Sequence, residues 1–282
     1  MNKQLAVIDI EFGKKLAGGR EDIALEMINM LRDTLPQDFS AIKTNFEKRA
    51  LADMQIDVHQ LLGAVSYCGT PALKQAVIDL ELTLKNNSTE KISLFFTQLE
   101  SEVKRFLAYE HLVLVNQQDE PLGYAEKMTV HEQALCHRAF SVFILRKTEA
   151  HDEVLIHQRN PLKYHSGGLW TNTCCGHPRP REDIKAAAER RLQEEMGIKT
   201  SLHYLDKFHY IAKLDKGLTE HEVDYVFYAY INDFNFTVNP NEVSDIKWLT
   251  IPALQDSLSQ NPQTFTPWLD QALTILVKMK KS

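Results

Sequence analysis

The spacing of apolar residues changes once along this chain, near residue 107, and that change restricts the folds open to it. Before it, Ile23, Met27, Met30, Leu31 and Leu35 recur at helical intervals, with Pro36 expected to end the run. Ile92, Phe95, Phe96, Leu99, Val103 and Phe106 repeat the pattern more strongly. Between them lie two more helical stretches, 38–67 and 71–85, parted by Gly69-Thr70-Pro71. Four amphipathic helices with short connections predict an all-α up-down bundle over residues 1–107. From His111 onward the apolar residues form short β-rich runs bounded by Gly, Asn, Asp or Pro: Leu112–Val115, Ala139–Leu145, Val154–Arg159, Val223–Ala229 and Ile246–Leu249. Residues 183–196 and 269–280 read as helices. Residues 108–282 are therefore expected to form an α+β domain, with helices covering a mixed sheet. No low-complexity linker intervenes, so the last bundle helix is expected to run almost directly into the first strand.

Composition narrows the ligand class. The 282 residues are 44% apolar, enough for two cores. A net charge of −6 argues against broad nucleic-acid binding, so an anionic ligand would need a local basic cluster. The opening MNKQLAVIDIEFGKK has no apolar signal region, and no run approaches the roughly 18 uninterrupted apolar residues of a membrane span. The expectation is a cytoplasmic protein without a membrane partner. Cys68, Cys136, Cys174 and Cys175 are too few and too unevenly spaced for a disulfide framework. A disulfide between the adjacent Cys174 and Cys175 would be strained, so at least one of them reads as a working thiol.

The most specific motif runs from Trp170 to Ile198. Gly176 is followed by five residues, Glu182, seven residues, and then Arg190-Arg191-Leu192-Gln193-Glu194-Glu195-Met196-Gly197-Ile198. This resembles the Nudix box, a loop–helix–loop that usually holds magnesium against a diphosphate. Arg191 stands where a Nudix hydrolase normally has its first helix glutamate. The preceding Trp-Thr-Asn-Thr-Cys-Cys-Gly-His-Pro is a stretch that hydrolases lack. With these features the chain resembles the type I isopentenyl-diphosphate isomerases, which keep the α+β Nudix fold but move a double bond instead of cleaving phosphate.

Several further expectations follow from the resemblance. His131 and His137 in HEQALCHRAFS, His177 in CGHP, and Glu220 and Glu222 in EHEV match the family's metal site, a His3Glu2 set suited to Mn²⁺, Mg²⁺ or Zn²⁺. On a strand, Glu220 and Glu222 would share one face while His221 points away. Arg191 and Glu195, four apart on a helix, would also share a face. In the family, the match of Glu195 carries a second Mg²⁺ bound to the substrate diphosphate, and the match of Arg191 contacts the phosphates. A cation at that position favours holding the diphosphate intact. Lys127, Arg159 and Lys163 match other phosphate-binding positions. Cys175 and Glu222 match the essential proton-transfer pair, with Tyr210 hydrogen-bonded near the glutamate. Trp268 matches an aromatic facing the carbocation-like intermediate. A desolvated cation–π contact is worth about 2 kcal/mol, against the roughly 8–23 kcal/mol by which enzymes lower barriers. Trp268 therefore assists, while proton positioning and water exclusion carry most of the effect. Cys174 reads as structural, Arg190 with Glu194 as a supporting salt bridge, and His151, His157, His203 and His209 as histidines without a role in the chemistry. The implied substrates are isopentenyl and dimethylallyl diphosphate. The rival readings are a Nudix diphosphate hydrolase and a non-catalytic phosphorelay or binding protein.

The first 107 residues resemble a different family. Residues 57–73, DVHQLLGAVSYCGTPAL, and the upstream AGGREDIALEMINMLRDTLP resemble a histidine phosphotransfer (Hpt) domain. His59 and Gly63 are four apart on one helix face, so the missing side chain leaves room for a receiver domain beside the imidazole. The resemblance makes His59 the candidate phosphorylation site and a response-regulator receiver the candidate partner. Leu62 departs from the pattern, since that family usually carries a cation there.

Overall fold

The computed structural model describes residues 5–86, 88–149, 151–232 and 234–279. The first four residues of the expected bundle and Lys280, the expected end of the last helix, lie outside the described residues. The chain divides into two compact units, Met1–Glu110 and His111–Ser282. No helix among the described residues is long and apolar enough to cross a membrane.

The first unit is all helix. A short α1 (Ile10–Leu16), capped by the Asp9 carboxylate on the Phe12 amide at 2.8 Å, precedes four long helices. These are α2 (Glu21–Glu47), α3 (Leu51–Val65), α4 (Pro71–Lys85) and α5 (Thr89–Ala108). Two boundaries differ from the sequence expectation. Pro36 does not end its helix: α2 continues through it to Glu47. Pro36 is exposed while Leu35 and Ile42 are buried. Water can therefore satisfy the carbonyl that the missing N–H abandons, while packing on the opposite face holds the helix together. The stretch expected as one helix over 38–67 instead breaks at residues 48–50, where Arg49 takes a φ of +57°. On α3, Met54, Val58, Leu61 and Val65 face the core, leaving His59 and Gly63 outward. Gly69 is required just before α4. Its φ is +61°, and a Cβ there would lie 2.7 Å from the Gly13 Cα.

The second unit is a mixed sheet with flanking helices. Its central strand is β3 (His137–Lys147), whose seven consecutive buried residues Ala139–Leu145 read as a strand covered on both faces. One edge of β3 pairs in parallel with β8 (Thr219–Tyr230), with His137 opposite Glu222. The other pairs antiparallel with β6 (Cys174–Gly176), setting Ser141 opposite Cys175, and further along with β4 (Asp152–Arg159). β7 (His203–Lys213) lies antiparallel on β8 with Tyr210 opposite Glu222. β1 (His111–Val115), β2 (Pro121–Glu126), β5 (Trp170–Thr171) and β9 (Val243–Thr250) complete the nine strands among the described residues. β2, β5, β6 and β7 were not legible as strands. β7 in particular shows mostly exposed residues without clean alternation.

Among the described residues four α-helices accompany this sheet: α6 (Lys127–Glu132), α7 (Ile184–Met196), α8 (Ile251–Gln260) and α9 (Leu269–Met279). The box helix α7 starts at Asp183, whose carboxylate accepts the Ala186 amide at 2.9 Å, and ends at Gly197 in the left-handed region. Ala187, Ala188, Leu192 and Met196 bury one α7 face against Phe140, Val142 and Phe227 of the sheet. Gly197→Ala should destabilise the protein by at least about 2 kcal/mol. Its φ is +69°, and a Cβ would stand 2.5 Å from the Thr237 carbonyl oxygen. A denaturant midpoint equal to wild type would show that the 237 loop yields freely.

Candidate active site

Strand and helix termini gather the candidate groups at one end of β3. His131 comes from the short helix α6, His137 opens β3, His177 follows β6, and Glu220 and Glu222 lie two apart on β8. Among the described residues, ligand atoms of His131, His137, His177 and Glu220 all fall within 4.8 Å of one another. His131 Nε2 is 3.1 Å from Glu220 Oε2, and His137 Nε2 is 3.7 Å from the same oxygen. Glu222 Oε1 lies 3.3 Å from His137 Nε2 and 3.0 Å from His177 Nε2. Both Glu220 and Glu222 are buried, whereas His221 turns away to the Ala134 carbonyl.

The donor chemistry fits a divalent cation. His131 Nδ1 meets the Lys127 carbonyl at 2.7 Å, and His137 Nδ1 meets the Leu135 carbonyl at 2.9 Å. Each carbonyl accepts an N–H, so each ring presents its Nε2 lone pair to the cluster, the tautomer a metal ligand needs. His131 Nε2, His137 Nε2 and Glu220 Oε2 are buried and make no hydrogen bond. Three converging buried lone pairs without partners are costly unless a cation serves them. The electrostatics of Glu220 and His177 agree, whereas burial would lower His131 but its contacts with Glu220 outweigh it and raise the ring. Burial raises the Glu220 carboxyl, and so does Glu222, but contacts with His131 and His165 outweigh both and hold it below its usual range. Burial drives His177 well below its ordinary range, aided by His137 and Lys127. A neutral imidazole is the ligating form.

A second cluster, of paired cations and carboxylates, gathers about α7. Glu195 is buried and accepts a close ion pair from Arg191. Burial would raise Glu195, but Arg191, Lys163, His157 and Arg159 together hold it down. Lys163 forms a close ion pair with Glu242, which also lies 3.4 Å from Arg191 Nη2. Arg190 bridges Glu182 at 2.7 Å and Glu194 at 3.1 Å, the supporting role expected of it. Lys127 Nζ lies 4.5 Å from the centroid of the Tyr164 ring.

The proton-handling candidates lie between the clusters. The Tyr210 hydroxyl donates to Glu222 Oε2 at 2.5 Å. Arg159 Nη1 approaches Cys175 Sγ at 3.7 Å. Burial pushes the Cys175 thiol up to about 12 against the pull of Arg159, so it carries its proton at neutral pH. Cys174 is fully buried in the apolar core with Phe140 and Leu192. Trp268 is buried just before α9; its indole N–H donates to Asn172 Oδ1 at 3.1 Å, and the Arg159 guanidinium sits 5.6 Å from its ring centroid.

Sequence reasoning missed four neighbours. His165 Nε2 lies 3.1 Å from Glu220 Oε1, a fourth imidazole at the cluster, contributed by a loop with no periodic signal. Glu242 and Asn172 are the others already named. Asp224, one strand period beyond Glu222, accepts the Ser141 hydroxyl at 2.8 Å, and burial pushes its carboxyl well up. For Asp224 a signal existed, since its period-2 spacing from Glu220 and Glu222 assigns it to their face.

Comparisons with known proteins agree with both units. Residues 136–269 match the NUDIX domain model and residues 26–109 the Hpt domain model. The isopentenyl-diphosphate Delta-isomerase of Aliivibrio fischeri is 45% identical over 163 residues, covering 56% of this chain and 90% of that protein. That of Photobacterium profundum is 44% identical over 170 residues, covering 60% and 94%. The DR0079 structure from Deinococcus radiodurans overlaps 58% of this chain and 98% of its own, with a TM-score of 0.46 and 21% identity.

His157 provides a pH test of this interior. It is buried, its Nδ1 3.0 Å from the Thr173 carbonyl, and burial pushes it down to about 4, with Glu195 opposing. Its folded pKa lies below the unfolded value of 6.5, so the unfolded chain takes up the proton first as pH falls. Stability from the neutral ring is full above about 6.5 and lost toward about 4, by roughly 3 kcal/mol. His157→Gln should therefore flatten the pH dependence of the urea midpoint across this window. An unchanged slope would mean that the ring is protonated in the folded state.

Proposed function

The chain belongs to the isopentenyl-diphosphate Delta-isomerase family, and from that premise we propose that its second unit interconverts isopentenyl and dimethylallyl diphosphate in isoprenoid biosynthesis. The observation that carries this reading is the placement of Cys175 and the Tyr210-bonded Glu222 on one face of the sheet, on opposite edges of β3. Alkene isomerisation adds a proton at one carbon and removes one from another, through a tertiary cation. A neutral thiol and a carboxylate hydrogen-bonded by a phenol form such an acid–base pair. Each turnover leaves their protonation states exchanged, and proton exchange with solvent restores them before the next; the reverse direction exchanges their roles. The buried indole of Trp268 presents a π-face to positive charge without a nucleophilic atom.

Arg191, Lys163, Arg159 and Lys127 are the groups we assign to the diphosphate, with Glu195 carrying the Mg²⁺ that accompanies it. His131, His137, His177, Glu220 and Glu222 would hold a Mn²⁺, Mg²⁺ or Zn²⁺ ion, which when bound would neutralise the paired carboxylates and tune Glu222. A cytoplasmic location is the accompanying reading, supported by four free cysteines. The hydrolase alternative is disfavoured by Arg191, which puts a cation against Glu195 where a hydrolase gathers carboxylates.

In the first unit we propose His59 as a phosphoryl acceptor from a receiver domain. Its side chain is 71% exposed, its Nδ1 lies 2.6 Å from Glu81, and its Nε2 is the nitrogen this contact leaves open. Burial would raise Glu81, but His59 and Lys85 outweigh it and keep the carboxyl low. Lys85 Nζ reaches the same Glu81 oxygen at 3.0 Å, supplying from α4 the cation that Leu62 does not.

Cys175→Ser and Glu222→Gln should each reduce isomerisation by at least about 10²-fold, whereas Cys174→Ala should keep most activity. The assay follows dimethylallyl diphosphate and free phosphate together, with isopentenyl diphosphate and Mg²⁺ supplied. Phosphate release without isomer would favour the hydrolase. His59→Ala should leave the basal rate unchanged and abolish acid-labile labelling by a phosphorylated receiver. A label that persists in the variant, or none on the wild type, would rule out His59 as the acceptor.

A further inference from the structure

Each strand that supplies the candidate active site also turns a neighbouring residue to its other side, and three of those neighbours converge. Cys136 precedes His137, His209 precedes Tyr210, and His221 separates Glu220 from Glu222. Alternation along a strand sends consecutive side chains to opposite faces. The β7–β8 register sets Ile211 opposite His221 and His209 opposite Val223, so His209 and His221 are diagonal neighbours on one face. Their Nε2 atoms are 2.9 Å apart, and Cys136 Sγ lies within 4.8 Å of a ring nitrogen of each. The Ala134 carbonyl, 2.8 Å from His221 Nδ1, accepts its N–H and leaves the Nε2 lone pair facing His209. A hydrogen bond between the imidazoles accounts for the pair alone, but it gives the half-buried Cys136 thiol no part.

We infer that Cys136, His209 and His221 form a second metal site, back to back with the His131–Glu222 cluster, for a thiophilic divalent ion of the zinc class. A sulfur donor with two imidazoles suits Zn²⁺ or Co²⁺ and not Mg²⁺ or Ca²⁺. Two nitrogens on one tetrahedral ion stand roughly 3.3 Å apart, given bonds of about 2.0–2.1 Å, so the histidines need move little. The sulfur completes the set by closing toward them. The fourth position opens on the His209 side, which faces solvent and leaves room for water. Such an ion would tie the residue before β3 to β7 and β8, the strands that hold His137, Tyr210 and Glu222. The inference does not depend on the isomerase reading.

Full-length protein stripped of metal and reloaded with Co²⁺ provides the test, since the other cluster's five donors include no thiolate. A thiolate-to-cobalt charge-transfer band is expected in the wild type and in Cys175→Ser, and should disappear in Cys136→Ser. Cys136→Ser and His209→Ala should each bind one Co²⁺ fewer per chain, with unchanged circular dichroism. If Cys136→Ser fails to fold, persistence of the band in Cys175→Ser together with the lower Co²⁺ count of His209→Ala still decides the matter. Absence of the band, or a band lost with Cys175 instead of Cys136, would overturn the site.

Discussion

The parallel pairing of β3 with β8 sets His137 opposite Glu222, and the geometry of the second unit is built outward from that register. A slip of one residue would turn Glu220 and Glu222 to the other face and bring His221 inward. The register is held by the run Ala139–Leu145, apolar except for Ser141 and buried on both sides, which gives β3 no freedom to shift without exposing core. Because β8 also carries β7, the same alignment brings the Tyr210 hydroxyl to Glu222. On the far edge of β3, the short strand β6 delivers Cys175 to the same region.

Charge divides that region into two parts. Glu220 and Glu222 are surrounded by imidazoles, whereas Glu195 and Glu242 are surrounded by guanidinium and ammonium groups. Buried carboxylates are tolerated only when paired, and removing one partner leaves an uncompensated charge. Arg191 therefore has a structural consequence as well as a chemical one. It neutralises Glu195 four residues along the same helix face, so α7 can turn both inward. Cys175, between these fields, is held as a thiol by burial.

The helical unit uses a simpler arrangement. The core face of α3 is filled by Met54, Val58, Leu61 and Val65, while Leu62 packs at its margin. His59 is thus presented to solvent by a rigid helix and oriented by Glu81 from α4, with Lys85 on the same carboxylate. Gly63 has nothing within 4 Å of where a Cβ would be, which keeps the surface beside the imidazole clear.

Local pattern was enough to divide the chain into a helical part and an α+β part, because apolar periods of 3.6 and 2 are written in consecutive residues. It was also enough to mark α7, whose cap Asp183, terminal Gly197 and i,i+4 pair Arg191–Glu195 are all local features. The pairing of Glu220 with Glu222 on one face follows from strand alternation alone. Other features were decided only in three dimensions. Pro36 sits inside α2 because packing of Leu35 and Ile42 outweighs a lost hydrogen bond, a balance no propensity reveals. β7 is held as a strand by its long pairing with β8 and not by its own polar-rich pattern. His165, Glu242 and Asn172 reach the site from loops, whose paths are set by contacts distant in sequence. The adjacency of Cys136, His209 and His221 likewise arises from strand register, since residues 73 and 12 positions apart carry no local sign of meeting.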